Sequence, residues 1–520
     1  MKAPSERAPR GKYAGGVLEE KRRSSMGYLM GIDLGTSSVK VLLADAEGKT
    51  KGIGQVGYEV LTPEIGYAEQ NPEEWWDCTK KAIRQALEKS DVSPLDISGI
   101  GFSGQMHGIV AVNKEGHPVY NAIIHLDQRS LVEKEEIYET AGNLLEEELL
   151  NRPSAGMLIC SLVWLKKNRP AVYDHIAKVM SPKDYIRYRL TGVLCTDPCD
   201  AGAALIFSVK NRKWCTELME RLDIDPELFP PVYEASQVIG NVSPEAARET
   251  GLSDHIPVAV GTGDCAAQMI GNGVVEAGIM ACNIGTASQL AVVTEQPVFD
   301  KNMCCQIWCH GAPDIWIFQG GALNGGNTLS WLKNKVLRDK RPFSQLDAEV
   351  SGVPAGCEGL MFLPYLAGER TPFNDPQARG VYFGLGMKHD QSYVVRATME
   401  GVMYNLCECK SVFDEMEISQ TKLISSGGAA KGVAWKQIQA DMLNKPVYTT
   451  QTEEEACLGA VILAAAGIGI YPDVKTACRQ IVKFSDEVTE PIAENVELYR
   501  EKQAIFHDLY YSVKNLYPRL

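Results

Sequence analysis

Three short apolar runs rich in valine, isoleucine and leucine fill Tyr28 to Val60, parted by Gly35-Thr-Ser-Ser38 and by Asp45 to Lys49. Runs of this length between turn residues predict a three-stranded antiparallel meander. The spacing then becomes helical. Asn71-Pro72-Glu73-Glu74 sets an N-cap residue, an N1 proline and an N3 glutamate before Trp76, Ile83 and Leu87, so a helix is expected to about Lys89. Ile97 to Phe102 reads as a buried strand, and Ile109 to Val112 starts another before the turn at Lys114-Glu115-Gly116. Further on, Ile256 to Val260 predicts a strand that runs into Gly261-Thr-Gly-Asp264, with a small-residue helix starting near Cys265.

From Met280 to Val293 the opening pattern returns, and Asn283-Ile-Gly285-Thr286-Ala-Ser288 echoes Asp33-Leu-Gly35-Thr36-Ser-Ser38. An internal repeat on this scale is the mark of a duplicated architecture. A late strand at Leu423 to Ser425, a turn at Gly427 and Gly428, and a helix from about Trp435 to Leu443 complete the second copy.

The length, 520 residues, exceeds one ordinary core and fits two large domains. Apolar and charged fractions of 45% and 23% let each domain bury a core without staples. The formal charge of -14 would repel phosphate backbones, which excludes nucleic acid as a partner. No apolar run approaches the ~20 residues of a membrane span and no secretory signal opens the chain, so no membrane partner and a cytoplasmic location are expected. Residues 1–25 read as a disordered, charged tail. The codons of Arg22 and Arg23 suit a ribosome-binding sequence ahead of a true start at Met26. The 15 cysteines form no Cys-x-x-Cys framework and are expected as reduced thiols. Cys304, Cys305, Cys309 and His310 lack the spacing of a zinc site.

Several glycine patterns invite a nucleotide reading. Gly52-x-Gly54-x-x-Gly57, Gly99-x-Gly101-x-x-Gly104 and Gly261-x-Gly263-x-x-Ala266 all fit the dinucleotide fingerprint formally. Strand-like residues follow the first two where a helix is required, and the third puts Asp264 where it would oppose a pyrophosphate. Gly48-Lys49-Thr50 resembles the end of a P-loop, but Leu43 stands where its first glycine should be. Phosphoryl transfer from ATP instead needs backbone amides on phosphates, a carboxylate to organise Mg²⁺ and a base beside the attacking hydroxyl. The repeated loops offer these groups: Gly35 and Gly285 for close backbone approach, Thr36 and Thr286 as hydroxyl donors, Asp33 at a strand end.

Met30-Gly-Ile-Asp33-Leu-Gly-Thr-Ser-Ser-Val-Lys40 resembles the opening of the FGGY carbohydrate kinases, and the segment from Gly359 through Gly368-Glu369-Arg370-Thr-Pro372 to Gly380 resembles that family's C-terminal signature. So does Ser426-Gly-Gly-Ala-Ala430. The resemblance covers residues 28–475. It implies an α/β protein of two ribonuclease H-like domains of the actin/hexokinase/Hsp70 type with an interdomain cleft: a sugar-binding domain over 26–275, a nucleotide-binding domain over 280–475 and a helical segment over 476–520.

Ser103-Gly-Gln-Met106-His107, Glu69-Gln70 with Trp75-Trp76, and Pro182-Lys-Asp-Tyr185 are similar to segments of the xylulokinase branch. The resemblance implies that Met106 and His107 touch the sugar, with Asp127 and Arg129 beside it. Asp264 would accept the proton and Asp33 would organise Mg²⁺ and ATP. Gly35, Thr36, Gly285 and Thr286 would meet the phosphates, and Gly427 and Gly428 would pack by the adenosine. On local grounds alone Asp264 also suits a helix N-cap, and Glu369 with Arg370 a structural ion pair. Where that branch has Trp-Asn-Asp, this chain has His125-Leu126-Asp127, and Cys265 replaces an asparagine after the acid. The implied activity is transfer of the γ-phosphate of ATP to a ketopentose such as D-xylulose. Ribulose, gluconate, glycerol or erythritol as acceptor, a non-catalytic sugar sensor, and a homodimer stay open.

Overall fold

A computed structural model describes residues 27–520, so the expected tail and the start at Met26 lie outside the described residues. The first sheet is built from β1 (Tyr28–Leu34), β2 (Ser38–Ala44), β3 (Thr50–Gly57), β4 (Ile97–Gly104), β5 (Val238–Asn241), β6 (Pro257–Ala259) and the short β7 (Thr262–Gly263). Its order is β5-β6-β4-β1-β2-β3, with β7 also on β4. The predicted meander is present: β1, β2 and β3 pair antiparallel, and β4 joins β1 in parallel.

The second sheet repeats this plan. It contains β8 (Ile279–Ile284), β9 (Ser288–Thr294), β10 (Gln306–Cys309), β11 (Trp316–Ala322), β12 (Lys422–Gly427) and β13 (Val447–Thr449), in the order β10-β11-β9-β8-β12-β13. β8, β9 and β11 form the antiparallel meander, and β12 and β13 continue in parallel. The repeated turn sequence therefore marks the same β1-to-β2 and β8-to-β9 corner in both halves.

Each sheet buries both faces. Along β1, Met30, Ile32 and Leu34 pack in one core with Trp75, Ala82 and Ile83 of α1 (Pro72–Glu88), and Leu29 belongs to the core on the other face, as the two-residue period of a strand requires. Asn71 caps α1 by accepting from Glu73 N at 3.0 Å, which is the start its sequence predicts.

Glycine explains how closely helices lie on the first sheet. A Cβ on Gly52 or Gly54 would meet Ala86 O at 2.4 Å or Ala82 O at 1.9 Å, both in α1. The first formal dinucleotide pattern is thus a helix-packing stripe. Gly101, in the second such pattern, would collide with Ala460 O at 1.9 Å.

Between the two sheets lie α2 (Asp264–Gly271), which follows β7, and α5 (Glu455–Gly467), the last helix of the second copy. Two further helices, α3 (Gln391–Glu415) and α4 (Val433–Leu443), cover the far face of the second sheet, where Val402, Met403 and Leu406 share a core with Met280, Cys282 and Ile284. The chain ends in the helix Ala493–Val513. Among the described residues no helix is long and apolar enough to cross a membrane.

The α2–α5 crossing is tight because both helices present small residues. A Cβ on Gly271 would meet Glu455 O at 1.8 Å, and one on Gly459 would meet Ala267 O at 2.0 Å. Alanine in place of glycine inside a helix normally stabilises by about 1 kcal/mol. Here the added methyl must push a backbone carbonyl away, so Gly459→Ala is expected to destabilise by roughly 1–3 kcal/mol, read as a lower midpoint in urea unfolding with an unchanged slope.

Candidate active site

The parallel register of β1, β4 and β7 brings three polar side chains to one edge. Asp33 pairs with Ser103, and Ser103 pairs with Thr262. Ser103 Oγ donates to Asp33 Oδ1 at 2.7 Å. Burial raises the Asp33 carboxyl above its ordinary range, while the Ser103 bond and the Lys40 charge pull the other way. Lys40 Nζ itself lies 2.6 Å from Glu454 Oε2, which ties β2 to the residue preceding α5.

Two residues beyond Thr262, Asp264 opens α2. Gly263 occupies the N-cap position, so the N-cap role that local preference suggests for Asp264 is not what the structure shows. Asp264 Oδ1 accepts from Cys265 N at 2.7 Å. The carboxyl is pushed up to about 7, first by burial and then by the nearby negative charge of Asp33, with the Cys265 amide opposing. A carboxyl with that affinity exchanges protons near neutrality, as a general base requires.

The β1–β2 corner is held rigid. Gly35 N donates to Ser38 O at 3.0 Å, Gln70 Nε2 donates to Thr36 O at 2.7 Å, and Tyr58 OH donates to Gly35 O. In the β8–β9 corner, Gly326 N and Asn327 N donate to the carbonyls of Gly285 and Thr286 at 2.7 and 3.1 Å. The carbonyls are thereby occupied. An added Cβ on Gly285 would meet nothing nearer than Asn283 Oδ1 at 3.8 Å, so space lies open above it.

Gly285, Thr286 and Gly428 line a cavity of about 1110 Å³ whose other walls include Leu346, Met399 and Trp435. Gly427 stands beside it, since Ile284 and Gly427 are partners in the β8–β12 register. Gly427 has φ +75°, and a Cβ there would collide with Ile284 O at 2.7 Å, so only glycine fits this turn. A cavity with bare backbone at one end and apolar walls along its length suits a nucleotide.

The Met106-His107 segment follows β4 directly. Met106 is buried against Gly263, where a Cβ would meet its Sδ at 2.8 Å. His107 Nδ1 lies 3.0 Å from Ala203 O, which must accept, so the proton sits on Nδ1 and Nε2 keeps a lone pair. Burial lowers its pKa to about 4, which leaves the ring neutral near pH 7. Gln105 Nε2 donates to Gln70 Oε1 at 3.0 Å, and Gln70 holds Thr36. The two loops are therefore mechanically linked.

Asp127 and Arg129, expected beside the sugar, have side chains with no exposed surface. Asp127 accepts from Ala68 N at 2.6 Å and Arg129 N at 2.8 Å, Arg129 also pairs with Glu69 at 2.8 Å, and its guanidinium stacks over Tyr67. This buried pair braces the turn that carries His125. His125 Nδ1 is buried without a hydrogen-bond partner.

The ion pair expected of Glu369 and Arg370 is also absent. Glu369 takes the amides of Leu323 at 2.8 Å and Arg370 at 2.7 Å and the side-chain amides of Asn324 and Asn405, whereas the Arg370 guanidinium reaches Gly321 O at 3.3 Å. Its charge lowers the pKa of both His107 and His125, after the larger effect of burial. All 15 cysteines are free thiols. Both ring nitrogens of His310 serve backbone groups, Val274 O and Ala312 N, and among the described residues no cluster of His, Cys, Asp and Glu could hold a metal alone.

Comparison with known proteins agrees with this geometry. The N-terminal domain of the FGGY family of carbohydrate kinases matches residues 28–271, and its C-terminal domain matches residues 280–468. The xylulose kinase of Bacillus subtilis is 33% identical over 491 residues, 94% of this chain and 98% of that protein. The ligand-bound xylulose kinase from Lactobacillus acidophilus has a TM-score of 0.88 at 25% identity, covering 95% of this chain and 99% of that one. A gluconate kinase from the same organism has the same TM-score, identity and coverage.

The raised pKa of Asp264 carries a stability cost with a definite sign. Its folded-state pKa of about 7 lies above the ordinary carboxyl value of about 3.9, so stability is undiminished below the lower value and falls as pH rises toward the upper one. Asp264→Asn is therefore expected to stabilise the protein by roughly 1–3 kcal/mol at pH 8 and by little at pH 4.5, measured as the difference in urea unfolding midpoints at the two pH values.

Proposed function

This chain belongs to the FGGY family of carbohydrate kinases, and we propose that within it the chain phosphorylates a ketopentose, converting D-xylulose to D-xylulose 5-phosphate. As a family member it is a phosphotransferase that uses ATP to phosphorylate a sugar hydroxyl. The observation that carries the finer reading is a carboxyl poised near neutrality at the start of α2, packed through Gly263 against the Met106-His107 segment. The xylulose kinases among its relatives supply the choice of acceptor.

Asp264 takes the proton of the attacking hydroxyl as that oxygen meets the γ-phosphorus. Accepting it relieves the repulsion with Asp33, so the step is favoured by the same charge that raises the pKa. His107 orients the sugar by accepting a hydrogen bond from one of its hydroxyls at Nε2, and Met106 gives it an apolar wall. The turns at Gly35 and Gly285, with the hydroxyls of Thr36 and Thr286, receive the phosphates, and the space above Gly285 is open. Gly427 and Gly428 border the adenosine. Asp33 would hold Mg²⁺ together with phosphate oxygens and waters, and the metal would supply neutralisation of charge on the transferring group. A single carboxylate fits that ion, which seldom uses an all-protein cage.

Asp127 and Arg129 support the pocket from behind instead of touching the sugar. Gluconate is the second reading. It is favoured by the gluconate kinase among the structural relatives and by the Arg370 charge that reaches both pocket histidines, since a carboxylate acceptor would pair with that guanidinium.

ADP release over a panel of pentuloses, gluconate and glycerol is expected to be greatest with D-xylulose, and a preference for gluconate with no pentulose turnover would transfer the assignment to that acid. Asp264→Asn should slow turnover by ~10² to 10⁴ with nucleotide affinity nearly unchanged. Asp33→Asn should lose turnover that excess Mg²⁺ partly restores, whereas Asp264→Asn should show no such rescue. Equal rescue of both variants would show the two roles to be wrongly divided.

A further inference from the structure

Behind the turn that delivers Asp264 lies a charge cluster with almost no exposed surface, and the reaction described above makes no use of it. Lys183, in the helix Pro182–Thr191, has its Nζ 2.6 Å from Asp184 Oδ1, 2.8 Å from Asp197 Oδ1 and 2.9 Å from Asp200 Oδ2. Arg187, one turn on, lies 2.7 Å from Asp184 Oδ1. Two cations thus face three carboxyl groups. Burial pushes Asp200 well above the ordinary carboxyl range, and the Asp197 charge adds to this against the pull of Lys183.

The cluster reaches the active-site chain at four points. Arg187 Nη1 donates to Val260 O at 2.7 Å. Thr262 Oγ1 donates to Asp197 Oδ2 at 2.7 Å, and the same carboxylate oxygen caps the helix Pro198–Ala203 through Cys199 N at 3.0 Å. A Cβ on Gly263 would meet Asp200 Oδ1 at 3.2 Å, and a Cβ on Gly104 would meet Lys183 Cβ at 2.9 Å. One group of side chains thus touches the strand end that leads to Met106 and His107 and the turn that leads to Asp264.

Hydrocarbon packed into the same volume would often stabilise the fold as well or better, because desolvating five ionisable groups costs several kcal/mol each before any attraction is counted. Ionic groups differ from hydrocarbon in reach and direction: Lys183 holds Asp197 by charge at 2.8 Å, and the hydrogen bond from Thr262 to Asp197 fixes an angle and a height for the turn. We propose that Lys183 and Asp197 are positioning residues, which set Asp264 at its distance from the Met106-His107 segment through the chain Lys183–Asp197–Thr262. A carboxylate misplaced by about 1 Å can lose ~10²-fold in rate, so a rigid tether behind the base has a direct effect on turnover.

This inference rests on Asp264 being the proton acceptor. Thr262→Val removes only the hydroxyl that joins the turn to Asp197, and Thr262→Ser keeps it. With D-xylulose and Mg-ATP, Thr262→Val is expected to lower kcat about tenfold while KM for ATP stays within about twofold and thermal unfolding is nearly unchanged. Thr262→Ser should stay within about threefold of wild-type kcat. Wild-type turnover in Thr262→Val, a Thr262→Ser variant as slow as Thr262→Val, or a loss of rate that tracks a loss of folded protein would each overturn the proposal. Asp264→Asn in the same series separates the two ideas. Fast Asp264→Asn removes the base assignment itself, whereas slow Asp264→Asn beside fast Thr262→Val removes only the tether.

Discussion

Everything in the site depends on the contact between α2 and α5. The loops that carry Asp33, Asp264 and Gly285 come from two separate sheets, and they share a cleft only because one helix from each copy fits between those sheets. The fit needs backbone against backbone. Gly271 and Gly459 admit carbonyls from the opposite helix, and Gly31 and Gly101 admit those of Cys457 and Ala460 into the face of the first sheet. A side chain at any of these positions would separate the layers and open the distance between the two corners.

Onto this contact the strand registers place two carboxyl groups whose proximity is unfavourable. Asp33 and Asp264 lie in surroundings that solvate neither well: burial raises the proton affinity of both, and the charge of Asp33 raises that of Asp264 further. Reactivity is drawn from that raised affinity. The charge that destabilises ionised Asp264 makes it a better proton acceptor, and binding of a cation at Asp33 would lower the same affinity. The neighbouring Ser103, which bonds to Asp33 from the adjacent strand, keeps the two acids distinct.

Much of this was legible in the sequence because it is local. The β1–β2 and β8–β9 corners, the cap at Asn71 and the strand-to-helix turn at Asp264 each follow from spacing within a dozen residues, and all lie where spacing puts them. The pairing of Asp33 with Ser103 and Thr262 depends on parallel register between distant strands, and pattern within one strand does not determine it. The motif identifies Asp127 and Arg129, but only packing shows that they pair with each other and with Glu69, Tyr67 and Ala68. Gly52 and Gly54 fit a phosphate-loop pattern formally, the strand residues around them argue against it in the sequence, and in the fold they seat α1. The motifs contain Arg370 and Lys183, but their contacts depend on packing: Arg370 reaches Gly321 O, and Lys183 gathers Asp197 and Asp200 from a separate segment.

The central claim is that Asp264 is a base tuned by burial and by the charge of Asp33, and its titration tests that most directly. Difference infrared spectra of the carboxyl band, wild type minus Asp264→Asn, can be followed from pH 4 to 9. The account predicts a midpoint of about 7 for Asp264, moving toward the ordinary carboxyl range when Asp33→Asn removes the neighbouring charge. A midpoint in the ordinary range of about 4 in the wild type, unmoved by Asp33→Asn, would contradict it.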